Sequence, residues 1–208
     1  MTHDSDNAPA DIAWLRQLAE ENGTGPMRGA SILLAAGLIY GVTSLIHWAH
    51  MTGLILAQYA AAGMEWLIAT GVFLVVCVTL ILRLRRAEGV RTAAQRAIGT
   101  IWSGVGWGIF ALFAAMFVVS ARIGVDQNST MFWLIPSIIL AFYGMGWGVT
   151  ATMMKSRPLG LLAVASFIAA PAVGLFAGSA AIYLAYAAAL FLLMAVPGFL
   201  LMRQAKSA

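Results

Sequence analysis

Six long apolar runs constrain this chain more than any other feature. Each run is about 20 residues long, which is enough for a helix to cross the roughly 30 Å hydrocarbon core of a bilayer. The runs are continuous and do not alternate apolar with polar residues, so they predict helices rather than the strands of a barrel. We therefore expect an all-α, polytopic membrane protein, a six-transmembrane-helix bundle spanning residues 29–203. The predicted spans are 29–50, 63–83, 98–121, 131–153, 158–177 and 180–202.

The composition agrees with this class. Of the 208 residues, 62% are hydrophobic and 10% are charged, and the mean hydropathy is +0.88. Soluble domains carry about 25% charged residues and 45–50% apolar ones. A soluble enzyme domain, a disordered protein and a nucleic-acid binder are therefore excluded. The single cysteine, Cys77, rules out an internal disulfide and any motif that needs several cysteines.

The two ends differ from the spans. Residues 1–28 form a tail that holds five of the eight acidic residues. Within it, Pro9 suits a helix start and Asn22-Gly23 a helix end, which predicts a short amphipathic helix over 9–22. That helix either lies on the membrane surface or packs, solvated, on the protein's own loops. Residues 204–208 form a C-terminal tail.

The distribution of basic residues predicts the orientation. Of the 12 Lys and Arg residues, 11 fall on the side that holds both termini, and Arg122 alone lies opposite. Positive residues are retained in the cytoplasm, so we expect both termini to be cytoplasmic, with the chain in a bacterial inner membrane. The loop between the second and third spans is especially basic. Its arginines are Arg83, Arg85, Arg86, Arg91 and Arg96.

Topology determination alone explains such a basic cluster. We expect contact with anionic lipid head groups to accompany it. Docking of an acidic partner protein is the alternative.

Small residues four positions apart predict where helices approach closely, because missing side chains let backbones touch. The first span carries such a pair, and the third and fourth spans share a Gly-x-Gly-Trp-Gly string. We expect the third and fourth helices to pack through these strings, the alternative being a flexible gate or cleft. The predicted packing glycines are Gly37, Gly41, Gly104, Gly108, Gly144 and Gly148.

Three prolines lie inside the spans. Pro136 is near the start of the fourth, Pro171 is in the middle of the fifth, and Pro197 is near the end of the sixth. Each removes a backbone hydrogen bond, so a bend is expected at each position.

One polar cluster is predicted at the outer side of the membrane. Tyr40, Thr43, Ser44, His47, His50 and Met51 share an arc of about 120° on the first helix. Polar stripes on membrane helices face the bundle interior or water. Glu65 begins the second span at the same depth as His47 and His50. These three residues either hold a divalent metal or relay a proton, or they only tie two helices together, and we favour the purely structural role.

No catalytic motif is present in the sequence. It lacks a phosphate-binding P-loop, a His-Glu-x-x-His motif and a nucleophile elbow, so we expect no enzyme and no cofactor. The expected function is that of a non-catalytic helix bundle acting as an oligomer, assembly partner or regulator. The alternative is a small transporter for an ion or small molecule, with a polar path lined by the first helix. The expected partners are the lipid bilayer with its anionic head groups and a second copy of the chain, but no nucleic acid.

Overall fold

The computed structural model describes residues 29–55, 63–86, 92–124 and 130–207. Within these residues there are helices and turns but no strand. The predicted amphipathic helix at 9–22, the rest of the N-terminal tail and Arg91 lie outside the described residues.

Among the described residues, six helices are long and apolar enough to cross a membrane, which confirms the predicted helix bundle and makes this an integral membrane protein. α4 follows a separate short turn of helix, Thr130–Trp133, and α6 contains a π-helical segment, Phe191–Ala195. The helices are α1 Ala30–Met51, α2 Met64–Arg86, α3 Ala93–Ile123, α4 Ile135–Met153, α5 Arg157–Gly174, and α6, which comprises Ala181–Leu190, the π segment and Val196–Ser207.

α3 begins five residues before the predicted span and has 31 residues, which corresponds to about 46 Å of helix. The extension has a local cause, because the Thr92 hydroxyl caps the helix by accepting a hydrogen bond from the Gln95 N–H at 3.1 Å. Thr-x-x-Gln is the signature of a helix start. Hydropathy alone misses it, because the first turn of α3 lies outside the apolar run.

Four helices form the core and two are peripheral. In an apolar 18-residue stretch of each span, 39% of the residues are buried in the first and fourth spans, 28% in the fifth and 56% in the sixth, but only 6% in the second and 11% in the third. α1 packs against α6, α4 packs against α5, α2 lies on α1, and α3 lies on α4. The fully buried core side chains include Leu140 and Trp147 of α4 and Ile182 and Leu190 of α6.

The bundle has two chemically distinct ends. At the first, called here the histidine end, α1 finishes at Met51 and α2 begins at Met64. At the opposite arginine end, α2 finishes at Arg86 and α3 begins at Ala93. The candidate site lies at the histidine end.

Candidate functional site at the histidine end

The site centres on a hydrogen bond between α1 and α2. Nδ1–H of His47 donates to Oε1 of Glu65. Nδ1 of His50 lies 3.6 Å from the same oxygen, which is too far for a hydrogen bond but close enough for an electrostatic contact. The structure thus brings together the three residues that helical spacing predicted as one cluster.

Local geometry explains this convergence. His47 and His50 are three residues apart on α1, so both side chains lie on one helical face. Gly53 and Gly63 adopt φ values of 74° and 97°, a left-handed conformation that glycine adopts without steric cost. They lie just after α1 and just before α2. Glu65 falls in the first turn of α2, where the positive end of the helix dipole stabilises a carboxylate.

Aromatic rings close the site on its bundle side. The His47 ring meets Tyr183 of α6 edge-on, with centroids 4.3 Å apart, and lies 5.8 Å from Trp66. Trp133, just before α4, is 6.1 Å from Tyr183. The side chains of His47 and Glu65 are accordingly only 14% and 9% exposed. The hydrogen-bonded pair therefore lies in an apolar, largely dehydrated setting, where a polar interaction is stronger than in water.

The polar stripe of α1 mostly faces the bundle, as predicted. Ser44 is fully buried and donates to the Tyr183 carbonyl at 2.8 Å. Thr43 is also buried and bonds to the carbonyl of Ile39 within its own helix. Met51, at the end of the stripe, is 45% exposed and does not share this burial.

Metal binding by His47, His50 and Glu65 stays a prediction, and the described geometry does not favour it. Within the described parts of the chain, no three His, Cys, Asp or Glu side chains are arranged to hold a metal ion. The two histidines instead present their Nδ1 atoms to one oxygen of Glu65. A metal needs its ligand atoms aimed at one shared empty point about 2 Å from each.

Sequence reasoning did not place Tyr183 at the histidines. It also did not place Trp66 or Trp133 there. All three residues lie near a span end, and proximity to the ends of spans was the one signal that could have grouped them with His47.

The glycines of α1 make close contacts with α6. A Cβ added at Gly37 would lie 2.5 Å from the backbone nitrogen of Ala195, and one at Gly41 would lie 2.6 Å from the Phe191 ring. Both contacts involve the π-helical segment. Gly198, which the sequence analysis passed over, is equally close to α1, because its Cβ would lie 2.6 Å from the Leu34 nitrogen.

The predicted glycine contact between α3 and α4 needs correction. The two helices do pack together, but open space surrounds the Cβ position of Gly104, and a Cβ added at Gly108 would meet only the Phe142 ring, at 3.5 Å. Gly144 and Gly148 face α5 instead, where they meet Phe167 and Ala163.

Large side chains mediate the contact between α3 and α4. A Cβ added at Gly146 would lie 3.2 Å from the ring of Trp102. Nε1–H of Trp102 donates to the Thr150 hydroxyl at 3.0 Å. The indole of Trp102 packs against the position of Gly146, so α3 and α4 associate without close contact between their backbones. The spacing of small residues therefore misplaced this interface.

A second buried hydrogen bond joins α4 to α6. Nε1–H of Trp147 donates to the Leu193 carbonyl at 2.9 Å. Pro197 lies four residues after Leu193 and has no N–H, so this carbonyl lacks its usual helical donor. The indole supplies the missing donor, and the π-helical segment ends two residues before the proline.

The basic residues cluster at the arginine end. Arg83 and Arg86 are exposed near the end of α2, and Arg96 is exposed in the first turns of α3. The described part of the basic loop thus lies at one level, opposite the histidine site.

Comparison with known protein families, with curated proteins and with solved structures finds no match to this chain. The site must therefore be interpreted from its own chemistry. That chemistry is a buried imidazole–carboxylate pair that fixes α2 to α1 beside an aromatic wall.

Proposed function

We propose that this protein is a non-catalytic membrane protein that acts as an assembled unit, with a second copy of the chain packed against α3. The observation that carries the proposal is an exposed stripe of small residues on that helix. Thr100, Gly104, Ala111 and Ala115 are all exposed, and at 100° per residue they fall within an arc of about 60°. Small-residue stripes are the commonest contact surface between helices in lipid.

The stripe also has a complementary knob. Trp107 lies at the edge of the same face, between Gly104 and Ala111 in the chain, and is 68% exposed. A two-fold pair of α3 helices would let each indole pack over the small residues of the other chain, because a two-fold interface is built from the same surface twice. This self-complementarity favours a second copy over an unrelated partner.

Transport has less support from the geometry. The buried hydroxyls of Thr43, Ser44, Thr150 and Ser166 all donate to backbone carbonyls. Hydroxyls bonded in this way stabilise helices rather than line a water-filled path. A transporter needs polar groups that remain available to a substrate near the middle of the membrane.

We propose the orientation that the basic residues predict, with the arginine end and both termini in the cytoplasm. In a bacterial inner membrane, the expected location, the histidine site then faces the periplasmic side. The support is the 11-to-1 distribution of Lys and Arg in the sequence.

Cysteine crosslinking tests the assembly. In a Cys77→Ser background, Ala111→Cys on the stripe should form a disulfide-linked dimer when native membranes are oxidised. Phe113→Cys is the matched control, because it is exposed at similar depth on another face of α3. Gly104→Leu should abolish the Ala111→Cys crosslink by filling the stripe. Equal crosslinking at positions 111 and 113, or none at 111, would refute the proposed interface.

A further inference from the structure

A lateral groove runs between α1 and α2. Its volume is about 510 Å³. Leu38, Val42 and Ile46 of α1 form one wall, and Ile68 and Val72 of α2 form the other. From Ile46 to Leu38 the groove follows about 12 Å of helix, and it is almost wholly apolar.

Glu65 closes the groove at the histidine end. Its Oε1 atom is occupied by His47, but its Oε2 atom is buried and has no hydrogen-bond partner in the described part of the chain. The residue as a whole is only 9% exposed. Buried polar atoms are almost always hydrogen-bonded, and a buried carboxylate needs compensating charge as well as donors. Among the residues that the structure describes, the groove therefore ends in an acceptor without a donor.

The depth of Glu65 matches the lipid head-group region. It is the second residue of a membrane span that begins at Met64, whereas Val72 lies two turns deeper. A molecule in the groove would thus have its polar end at the membrane interface and its apolar end in the hydrocarbon, which is the arrangement of a membrane lipid.

We propose that this groove binds one phospholipid with a primary ammonium head group. The ammonium donates a hydrogen bond to Oε2 of Glu65, and one acyl chain lies between Val42 and Val72. An ammonium provides both N–H donors and positive charge. A choline head has the charge but no N–H, and an anionic head has like charge to the carboxylate. The lipid site is on α1 and α2, so it is independent of the proposed α3 interface.

Lipid titration followed by native mass spectrometry tests the proposal. The detergent-solubilised protein is titrated with phosphatidylethanolamine, phosphatidylcholine and phosphatidylglycerol that carry identical acyl chains. The first bound ethanolamine lipid should bind about tenfold more tightly than the choline lipid, since a charge-assisted hydrogen bond has that strength. Equal affinities for the two, or preference for phosphatidylglycerol, would overturn the proposal without any variant.

Two pairs of proteins locate the site. Glu65→Gln keeps an oxygen that accepts from His47 but loses the negative charge, so its ethanolamine preference should disappear while its melting temperature stays near that of the parent. Val72→Trp should fill the groove and weaken binding of the first lipid, whereas Val75→Trp, on an exposed α2 position outside the groove lining, should not. An ethanolamine preference that survives Glu65→Gln, or equal effects of the two tryptophans, would place the lipid elsewhere.

Discussion

The hydrogen bond from Trp147 to Leu193 leads to a quantitative prediction. Trp147→Phe removes the only indole N–H that reaches this buried carbonyl in the described structure. Side-chain hydrogen bonds in membrane bundles contribute about 0.6–1.7 kcal/mol, and the space left by the smaller ring adds about 1 kcal/mol. We therefore expect Trp147→Phe to lower the free energy of unfolding by about 2 kcal/mol.

Trp107→Phe is the matched control. It makes the same chemical change in the same Gly-x-Gly-Trp-Gly string, but the ring is 68% exposed, so the expected loss is below about 0.5 kcal/mol in detergent, where the chains are diluted to monomers. Unfolding can be followed by circular dichroism during a denaturant titration.

A double-mutant cycle isolates the hydrogen bond. Pro197→Ala restores an N–H four residues after Leu193, which gives the carbonyl an alternative helical donor. Trp147→Phe should then cost about 1 kcal/mol less in the Pro197→Ala background than in the parent. Equal costs in the two backgrounds, or equal costs for the two tryptophans, would show that this carbonyl does not depend on the indole.

Three further predictions concern packing, a turn and orientation. Gly37→Ala should destabilise the bundle by about 1–3 kcal/mol, because its Cβ would meet the Ala195 backbone at 2.5 Å. Gly99→Ala is the control, because its Cβ would meet nothing within 4 Å. Similar melting temperatures for the two variants would contradict the α1–α6 contact. Lys155 has a φ of 48° in the turn between α4 and α5, a left-handed conformation that strains the backbone of a residue with a side chain. Lys155→Gly should therefore raise the free energy of unfolding by about 1 kcal/mol, while Lys155→Ala should not. No gain in stability with glycine would refute this backbone strain. In a Cys77→Ser background, a membrane-impermeant thiol reagent applied to intact cells should label Asn128→Cys but not Ala87→Cys, and the reverse pattern would invert the proposed orientation.

The spans were predictable from sequence because a bilayer imposes one length and one composition on every crossing helix. Helix ends were less predictable, since they depend on local capping. Thr92 and Gln95 form a helix-capping sequence that marks the start of α3, and hydropathy does not detect it.

The packing partners of the helices were harder to predict. In a soluble helix the buried face is apolar and the exposed face is polar, whereas a membrane helix is apolar on both its buried and its lipid-facing sides. Trp107 and Trp147 occupy the same position in the same string, yet one is 68% exposed and the other 0%. α3 and α4 carry apolar residues on all sides, so hydrophobic periodicity cannot distinguish a face that packs in the core from a face that contacts lipid. The α3–α4 glycine contact was misplaced for this reason.

The polar cluster was predictable for the opposite reason. Ionisable residues are so rare in the spans that His47, His50 and Glu65 stand out against the apolar background, and helical spacing put them at one depth. Spacing fixes depth but not the direction of each side-chain atom, so it left a metal site and a structural tie as alternatives, and it did not predict the hydrogen bond between His47 and Glu65. The aromatic wall depends on α4 and α6, whose arrangement around α1 no local pattern encodes.

The central claim is that the chain works as a pair joined through α3, and its mass in a lipid environment tests this most directly. Native mass spectrometry of the protein ejected from lipid nanodiscs, prepared at a low ratio of protein to discs, should show twice the 22.0 kDa chain mass. Gly104→Leu should show the mass of one chain while retaining the helical content of the parent. A parent that appears only as a single chain, or a Gly104→Leu variant that remains paired, would contradict the account.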